Sequence, residues 1–176
     1  MYQSKKSINK PFEIAGMCIT DLFAALFFIL LVAWGLVILA AAVSFGGLSV
    51  CLLGNINIYG LIPDIPYWCG VILAFAFTAL TVLLAVGCAY YAAFLRQLAR
   101  SFCRFQHNVL ANSGGGAVLP PIAINPQFSA KTKRRLRSAA LISLILFAVC
   151  FMLAYIACSL SSGLVQFWHI WNWFAK

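Results

Sequence analysis

The stretch LFAALFFILLVAWGLVILAAAVSFGGLSVCLL, residues 22–53, decides the fold class of this chain. It contains no charged residue and no His, Asn or Gln, and about 20 such residues suffice for a helix to cross the hydrocarbon core of a bilayer. Two further apolar runs of spanning length follow it. The sequence therefore predicts an all-α integral membrane protein with three transmembrane helices, at about residues 22–45, 68–95 and 138–160.

The composition leaves no room for a separate soluble domain. Of the 176 residues, 64% are hydrophobic and 9% are charged, whereas soluble domains carry about 25% charged residues. The net charge of +9 would suggest nucleic acid in a soluble protein, but here the basic residues flank apolar runs. We therefore expect a single membrane domain over residues 1–176, with anionic membrane lipid and no nucleic acid as the partner of its basic residues. The first apolar run is longer than the core of a cleaved signal peptide, so we expect it to remain as a span.

The distribution of Lys and Arg predicts the orientation of the spans. Three lysines precede the first span, residues 54–67 contain no Lys or Arg, residues 96–137 contain eight, and only Lys176 follows the third span. Basic segments remain on the cytoplasmic side of a membrane. We therefore expect the N-terminus and residues 96–137 inside, and residues 54–67 and the C-terminus outside.

The first apolar run is too long for one straight span. As a helix its 32 residues would measure about 48 Å, more than the roughly 30 Å of the hydrocarbon core. We expect the helix to bend or break at Gly46 and Gly47, so that residues 48–53 form a short outer extension or a re-entrant piece. Asp21 precedes the run and is expected to cap the helix at its inner end.

The segment between spans two and three, residues 96–137, is predicted to be a cytoplasmic basic helix followed by a Pro/Gly-rich loop. Its arginines and apolar residues recur at helical spacing, which predicts that the second helix continues to about residue 110. Residues 118–127 are expected to be extended, and Ser129 is a candidate N-cap of the third helix. Its basic residues either serve only as topology determinants or also contact lipid headgroups; the candidate contacts are Arg96, Arg100, Arg104, His107, Lys131, Lys133, Arg134, Arg135 and Arg137.

The C-terminal tail predicts an amphipathic helix at residues 164–175 that lies in the outer membrane interface. Aromatic residues fall on one of its faces and polar residues on the other. The candidate interfacial anchors are Trp68, Phe167, Trp168, Trp171 and Phe174.

The sequence carries no pattern that predicts catalysis, a metal site or a cofactor. It has seven cysteines but no CxxC, and no HExxH occurs. Cys51 and Cys69 flank the predicted outer loop, where a disulfide is one interpretation and isolated small apolar residues are the other. His107 and His169 fall on opposite sides of the predicted membrane, so they cannot share one metal ion.

The spans contain packing residues rather than ionisable ones. Intramembrane charges usually mark transport pathways, and here the few polar residues are Ser44, Thr78, Thr81 and Ser143. Such hydroxyls commonly bond to their own helix backbone, which argues against an ion pathway within one monomer but not against a pore between subunits. Numerous Ala and Gly residues in the first two spans mark surfaces for close helix contact.

The runs LFAALFFILLVAWGLVILAAAVSFGGLSVCLLG and YWCGVILAFAFTALTVLLAVGCAYYAAF, within roughly the first 95 residues, resemble the membrane half of HAAS-type proteins. These are small PadR-associated membrane proteins of Firmicutes and related bacteria. The chain lacks the soluble helical HAAS domain, and its basic helix, Pro-rich loop and Trp-rich tail have no counterpart in that family. The resemblance implies a regulatory or envelope-stress accessory protein, which we would expect in a bacterial cytoplasmic membrane.

These observations favour a non-enzymatic accessory or regulatory membrane protein. It would act through helix packing, either as a homo-oligomer or with another integral membrane protein. The alternative is an oligomeric channel or transporter subunit, with Ser44, Thr78 and Thr81 around a pore. A membrane enzyme acting on lipids or thiols is a third class, for which the sequence names no catalytic residue.

Overall fold

The computed structural model of the chain describes residues 10–56, 65–114 and 117–163, and these residues form three helices. The helices are α1 (Lys10–Leu53), α2 (Tyr67–Gly114) and α3 (Ala130–Ser162). Each is long and apolar enough to cross a membrane, so the predicted all-α class with three helices of spanning length is confirmed. The predicted interfacial helix at residues 164–175 lies outside the described residues.

Both α1 and α2 are longer than a membrane span requires. They contain 44 and 48 residues, which correspond to about 66 and 72 Å of helix. In α2 the additional length is residues 96–114, the basic extension, which carries Arg96, Arg100 and Arg104. The prediction that the second helix continues beyond its apolar part is therefore confirmed, and the helix ends at Gly114 rather than near residue 110.

The chain divides into two compact units, Met1–Leu36 and Val37–Lys176. The described part of the first unit is the N-terminal portion of α1, and its large apolar side chains, such as Phe23 and Trp34, are mostly exposed. The prediction that Asp21 caps this helix is wrong, because α1 already begins at Lys10. The helix can start earlier because Pro11, the one proline in residues 10–20, lies in the first turn, where proline is tolerated. No pair of glycines follows in these residues to interrupt the helix.

The predicted break at Gly46 and Gly47 is also wrong, because α1 runs without interruption to Leu53. Residues 48–53 are therefore its last turns and not a separate piece. A Cβ atom at Gly46 would lie 3.4 Å from Cγ2 of Thr81, whereas one at Gly47 would meet nothing within 4 Å. Gly46 thus allows α1 to approach α2 closely, a common use of glycine between membrane helices.

The end of α1 is closed by Asn55 rather than by a glycine. Asn55 adopts a left-handed φ of 50°, and the backbone N–H of Ile56 donates to the carbonyl of Cys51 at 2.9 Å. This is the hydrogen-bonding pattern of a Schellman C-cap, in which Asn is the usual substitute for Gly. It turns the chain away from the helix axis directly after the last apolar residues of α1.

Small residues are buried where the helices of the second unit pack. Ala74, Ala76 and Ala79 of α2 are buried, as are Ala154 and Ala157 of α3. Side chains of this size permit close approach of two helix backbones in a membrane, where van der Waals packing and not the hydrophobic effect drives association. Of the α2 alanines that the sequence marks as packing residues, these three are therefore buried, whereas Ala85 and Ala92 are exposed.

The boundaries of α3 follow local sequence signals. Ser129 occupies the predicted N-cap position, although its side chain makes no capping hydrogen bond and only its backbone carbonyl accepts from Lys133 N–H, at 2.9 Å. At the other end Gly163 has a φ of 67°, a conformation that a residue with a Cβ adopts at a cost. The helix therefore ends where the sequence places serines before a glycine.

Candidate functional site

A small polar cluster joins α1 to α2 within the apolar part of the second unit. The hydroxyl of Ser49 donates to the carbonyl of Ala74 at 2.9 Å and lies 2.6 Å from the hydroxyl of Thr78. Thr78 also lies 2.9 Å from the Ala74 carbonyl. Each hydroxyl has one hydrogen for these three contacts, so Ser49 and Thr78 donate to the Ala74 carbonyl in turn, and the hydroxyl that is not donating to the carbonyl donates to the other hydroxyl. The rings of Phe45 and Phe77 stack beside this cluster, with centroids 5.6 Å apart.

The hydroxyls of the predicted pore residues are used mainly inside the helices. Thr78 and Thr81 donate to the carbonyls four residues earlier in α2, both at 2.9 Å, which confirms the predicted bonding to their own helix. Ser143 is buried in α3 and Ser44 is exposed. Ser49, which sequence analysis did not single out, carries a hydrogen bond from α1 to α2.

The chain after α2 folds back along the basic extension as residues 117–128, here called the strap. The side-chain amide of Asn108 donates to the carbonyl of Leu119 at 2.9 Å and accepts from the N–H of the same residue at 2.8 Å. Arg104 donates to the carbonyl of Pro120 at 2.9 Å. These bonds fix the beginning of the strap to the extension through its backbone and not through particular strap side chains.

The far end of the strap reaches the level of Tyr90, whose ring packs edge-on against Phe128 with centroids 5.1 Å apart. From Asn108 back to Tyr90 is 18 residues of helix, or about 27 Å. The nine residues from Leu119 to Phe128 cover at most about 30 Å. The strap must therefore be almost fully extended and antiparallel to α2, in agreement with the extended segment predicted for residues 118–127.

A cleft of about 510 Å³ lies between the basic extension and the strap. Residues of both elements line it; they are Gln97, Arg100, Arg104, Pro121, Ile122, Ala123 and Gln127. Gln97 is only 9% exposed, and among the described residues its Oε1 has no hydrogen-bond partner. A buried acceptor in this state is unfavourable until a donor reaches it.

The electrostatics of the cleft are entirely cationic. Residues 65–176 contain no Asp and no Glu, so neither the helices of this region nor the strap can supply a carboxylate to the two arginines. Guanidinium groups bind phosphate and carboxylate through paired hydrogen bonds. The arrangement therefore suits an anion that comes from outside the chain.

A second basic groove lies at the start of α3. It has a volume of about 490 Å³ and is lined by Lys131, Arg134, Arg135, Ser138, Ala139 and Ile142. Its charged residues are exposed, and about three turns of a single helix form it. This groove presents charge above an apolar surface, as expected where a helix enters a headgroup layer.

The structure assigns the predicted headgroup residues to different surroundings. Arg100 and Arg104 share the cleft, whereas Arg96 and His107 are exposed on the same extension outside its lining. Lys133 and Arg137 are exposed on α3. Of the predicted interfacial anchors, Trp68 is 51% exposed at the beginning of α2; the others lie outside the described residues and are Phe167, Trp168, Trp171 and Phe174.

Of the two interpretations of Cys51 and Cys69, the disulfide does not apply, because both residues are free thiols. Cys69 is fully buried and packs in a cluster with Ala157 and Cys158 of α3. The rotation of α2 that packs its small residues on α3 also turns this thiol towards α3. Among the described residues, no group of three metal-ligating side chains occurs.

Sequence analysis missed Gln97 and Asn108, although a signal for them existed. Gln97, Arg100, Arg104 and Asn108 follow one another at intervals of three or four residues, which places all four on one face of a helix. Charge alone drew attention to the arginines, while the two amides complete the polar stripe against which the strap lies.

No family model, no curated protein and no solved structure matches this chain. The resemblance to the membrane half of HAAS-type proteins therefore stays a prediction.

Proposed function

We propose that this chain is a multi-pass membrane protein that acts, without catalysis, as an accessory or regulatory subunit by packing its helices against a second copy or another membrane protein. In this proposal the N-terminus and the basic extension face the cytoplasm and the C-terminus faces outward. The basic residues hold the cytoplasmic end against anionic lipid.

The observation that carries the proposal is the unequal burial of the three candidate spans. In the most apolar 18-residue stretch of each helix, 28% of the residues are buried in α2 and 22% in α3, whereas none is buried in the first span. A helix that is apolar on all sides is covered in a membrane by lipid or by other helices. The first span is therefore the surface that we assign to a partner.

Residues of the first unit add a feature that lipid contact does not require. Ala25 and Ala33 are exposed between much larger exposed neighbours such as Leu26 and Val32. Small residues on a lipid-facing helix give little lipid contact, but they let a second helix approach closely. This pattern supports helix association as the role of the first span.

Native mass spectrometry of the full chain released from lipid nanodiscs tests the proposal. We expect a homo-oligomer or a complex with a second membrane protein. The substitution Ala33→Leu should shift the distribution of oligomeric states towards the free chain, because the larger side chain prevents close helix contact. Val32→Leu is the matched control, since it adds a methylene group at the neighbouring position without filling a small-residue gap. A free chain at every lipid-to-protein ratio would refute the proposal.

The orientation has its own test in the native thiol of Cys103, which is exposed on the basic extension. In a variant that retains only this cysteine, a membrane-impermeant maleimide should label inverted vesicles and leave intact cells unlabelled. Labelling of intact cells would refute the proposed cytoplasmic location of the basic extension.

The channel or transporter alternative gains no specific support from the described residues. A pore lined by Thr78 and Thr81 would have to redirect hydroxyls that already donate within α2. Thr78 is moreover in contact with Ser49, so its rotation would break the contact between helices.

A further inference from the structure

The cleft between the basic extension and the strap combines two features that lipid attraction in general does not explain. One is a pair of arginines, Arg100 and Arg104, that line the same open cleft. The other is the buried side chain of Gln97, whose Oε1 has no partner among the described residues. A surface that only attracts an anionic leaflet needs neither a second element beside the arginines nor a buried amide.

We propose that this cleft is a binding site for a phosphate ester that carries a free hydroxyl group. The phosphate is held by Arg100 and Arg104, and the hydroxyl of the ligand donates to Oε1 of Gln97. This inference goes beyond helix packing, because it assigns a ligand to the chain whether or not the chain associates with a partner.

Arg104 is already oriented for this task. It donates to the Pro120 carbonyl at 2.9 Å, which holds its planar guanidinium at the rim of the cleft while its other N–H groups remain for a ligand. Planar, paired donors of this kind are suited to phosphate oxygens. Since no Asp or Glu occurs after residue 64, no carboxylate of this region competes for the arginines.

The side chain of Gln97 indicates that the ligand carries a hydroxyl group beside its phosphate. Its unpartnered atom is an acceptor, and a fully ionised phosphate offers it no hydrogen. A hydroxyl on the same ligand supplies that hydrogen, and the terminal torsion of glutamine is broad enough for the carboxamide to turn towards it. The cleft therefore selects an ester with a hydroxyl over a bare phosphate.

The depth of the cleft along α2 agrees with a ligand at the membrane surface. Counted from Leu95, the last residue of the apolar run, Gln97 is about 3 Å, Arg100 about 8 Å and Arg104 about 14 Å further along the helix axis. A headgroup layer is about 5–8 Å thick on each side of the hydrocarbon, so Gln97 and Arg100 lie at its depth and Arg104 lies on its aqueous side. Both a lipid headgroup and a soluble phosphate ester from the cytoplasm can reach this level.

The test uses the purified full chain and native mass spectrometry, with nanodiscs of phosphatidylcholine that contain phosphatidylglycerol or phosphatidic acid as the minor lipid. Phosphatidylglycerol has both phosphate and hydroxyls, whereas phosphatidic acid lacks the alcohol. We expect preferential retention of phosphatidylglycerol. Soluble glycerol 3-phosphate forms a separate arm: its binding, or its competition with phosphatidylglycerol, would identify the free ester as a source, and its failure to bind would identify the lipid.

Matched variants separate the cleft from general electrostatics. Arg100→Gln should weaken phosphatidylglycerol binding about tenfold or more, the usual loss for a charge-assisted hydrogen bond. Arg96→Gln removes the same charge outside the cleft lining and should change binding less than about threefold, as a surface charge does. Equal effects of the two variants would overturn the proposal.

Gln97→Leu tests the hydroxyl contact. The apolar side chain fills a similar volume and removes the unpartnered acceptor, so the fold should be retained. We expect the preference for phosphatidylglycerol over phosphatidic acid to disappear, while binding of anionic lipid continues. An unchanged preference would refute the role assigned to Gln97. The oligomeric mass in the same spectra reports independently on the proposed function.

Discussion

The close contact between α1 and α2 at Gly46 yields the sharpest prediction, because Gly46 lies against Thr81 of α2 and the adjacent Gly47 does not. The Cβ of a Leu at Gly46 would lie 3.4 Å from Cγ2 of Thr81, whereas the Cβ of a Leu at Gly47 would have no other described residue within 4 Å. Both substitutions remove a glycine from a helix, which favours the helix by about 0.8 kcal/mol. They differ only in what the new side chain touches.

The expected magnitudes follow from this contact. Overpacking at Gly46 costs about 1–3 kcal/mol, and separation of the helices removes the interhelical hydrogen bond of Ser49, which contributes about 0.6 kcal/mol in a membrane protein. After the gain in helix propensity, Gly46→Leu should lower the free energy of unfolding by about 1–3 kcal/mol. Gly47→Leu should raise it by about 0.8 kcal/mol.

Thermal unfolding of the full chain in detergent, followed by circular dichroism, measures the difference. At about 2–4 °C per kcal/mol for a chain of this size, Tm should fall by roughly 3–10 °C for Gly46→Leu and rise slightly for Gly47→Leu. Gly46→Ala serves as a second control, because a Cβ at 3.4 Å makes an ordinary van der Waals contact. Equal Tm values for the two Leu variants would refute the idea that Gly46 is a packing residue.

Two further predictions concern the partners that the structure assigns. In membranes treated with a mild copper oxidant, a variant that retains only Cys69 and Cys158 should form an intramolecular disulfide, detected after cleavage at a protease site inserted in the loop before α3. The pair Cys51 and Cys69 should crosslink far less, and the reverse order would contradict the packing of α2 on α3. Asn108→Ala should release the strap and accelerate the hydrogen exchange of the strap amides about tenfold, since each lost hydrogen bond contributes about 0.5–1.5 kcal/mol. His107→Ala, at the exposed neighbouring position, should leave this exchange unchanged. Equal exchange in the two variants would refute the hydrogen bonds between Asn108 and Leu119.

Local patterns predicted several elements well. The periodic arginines of the basic extension required α2 to continue past its apolar run, and α2 does continue to Gly114. Ser129 and Gly163 flank α3 because a serine before a helix and a glycine after it satisfy requirements of the adjacent backbone alone. The extended strap followed similarly from its prolines, which exclude a helix.

Other predictions failed where one sequence pattern is compatible with two different structures. Gly46 and Gly47 are typical of a helix break, but Gly46 is a contact point and α1 remains continuous. Cys51 and Cys69 flank one loop, but the partner of Cys69 comes from α3. Proximity along the chain does not determine which helix faces meet.

The sequence by itself determined the fold class, the number of spanning helices and the excess of positive charge between the second and third. These properties depend on how many apolar residues occur in a row and where the charges interrupt them, because transfer of a helix into hydrocarbon is summed over its residues. Only the tertiary structure decided that Gln97, Arg100 and Arg104 line one cleft together with the strap, and that Ser49 bonds to α2. Such contacts depend on helix rotation and on distances of a few tenths of an ångström, since packing and hydrogen bonding act only at contact range.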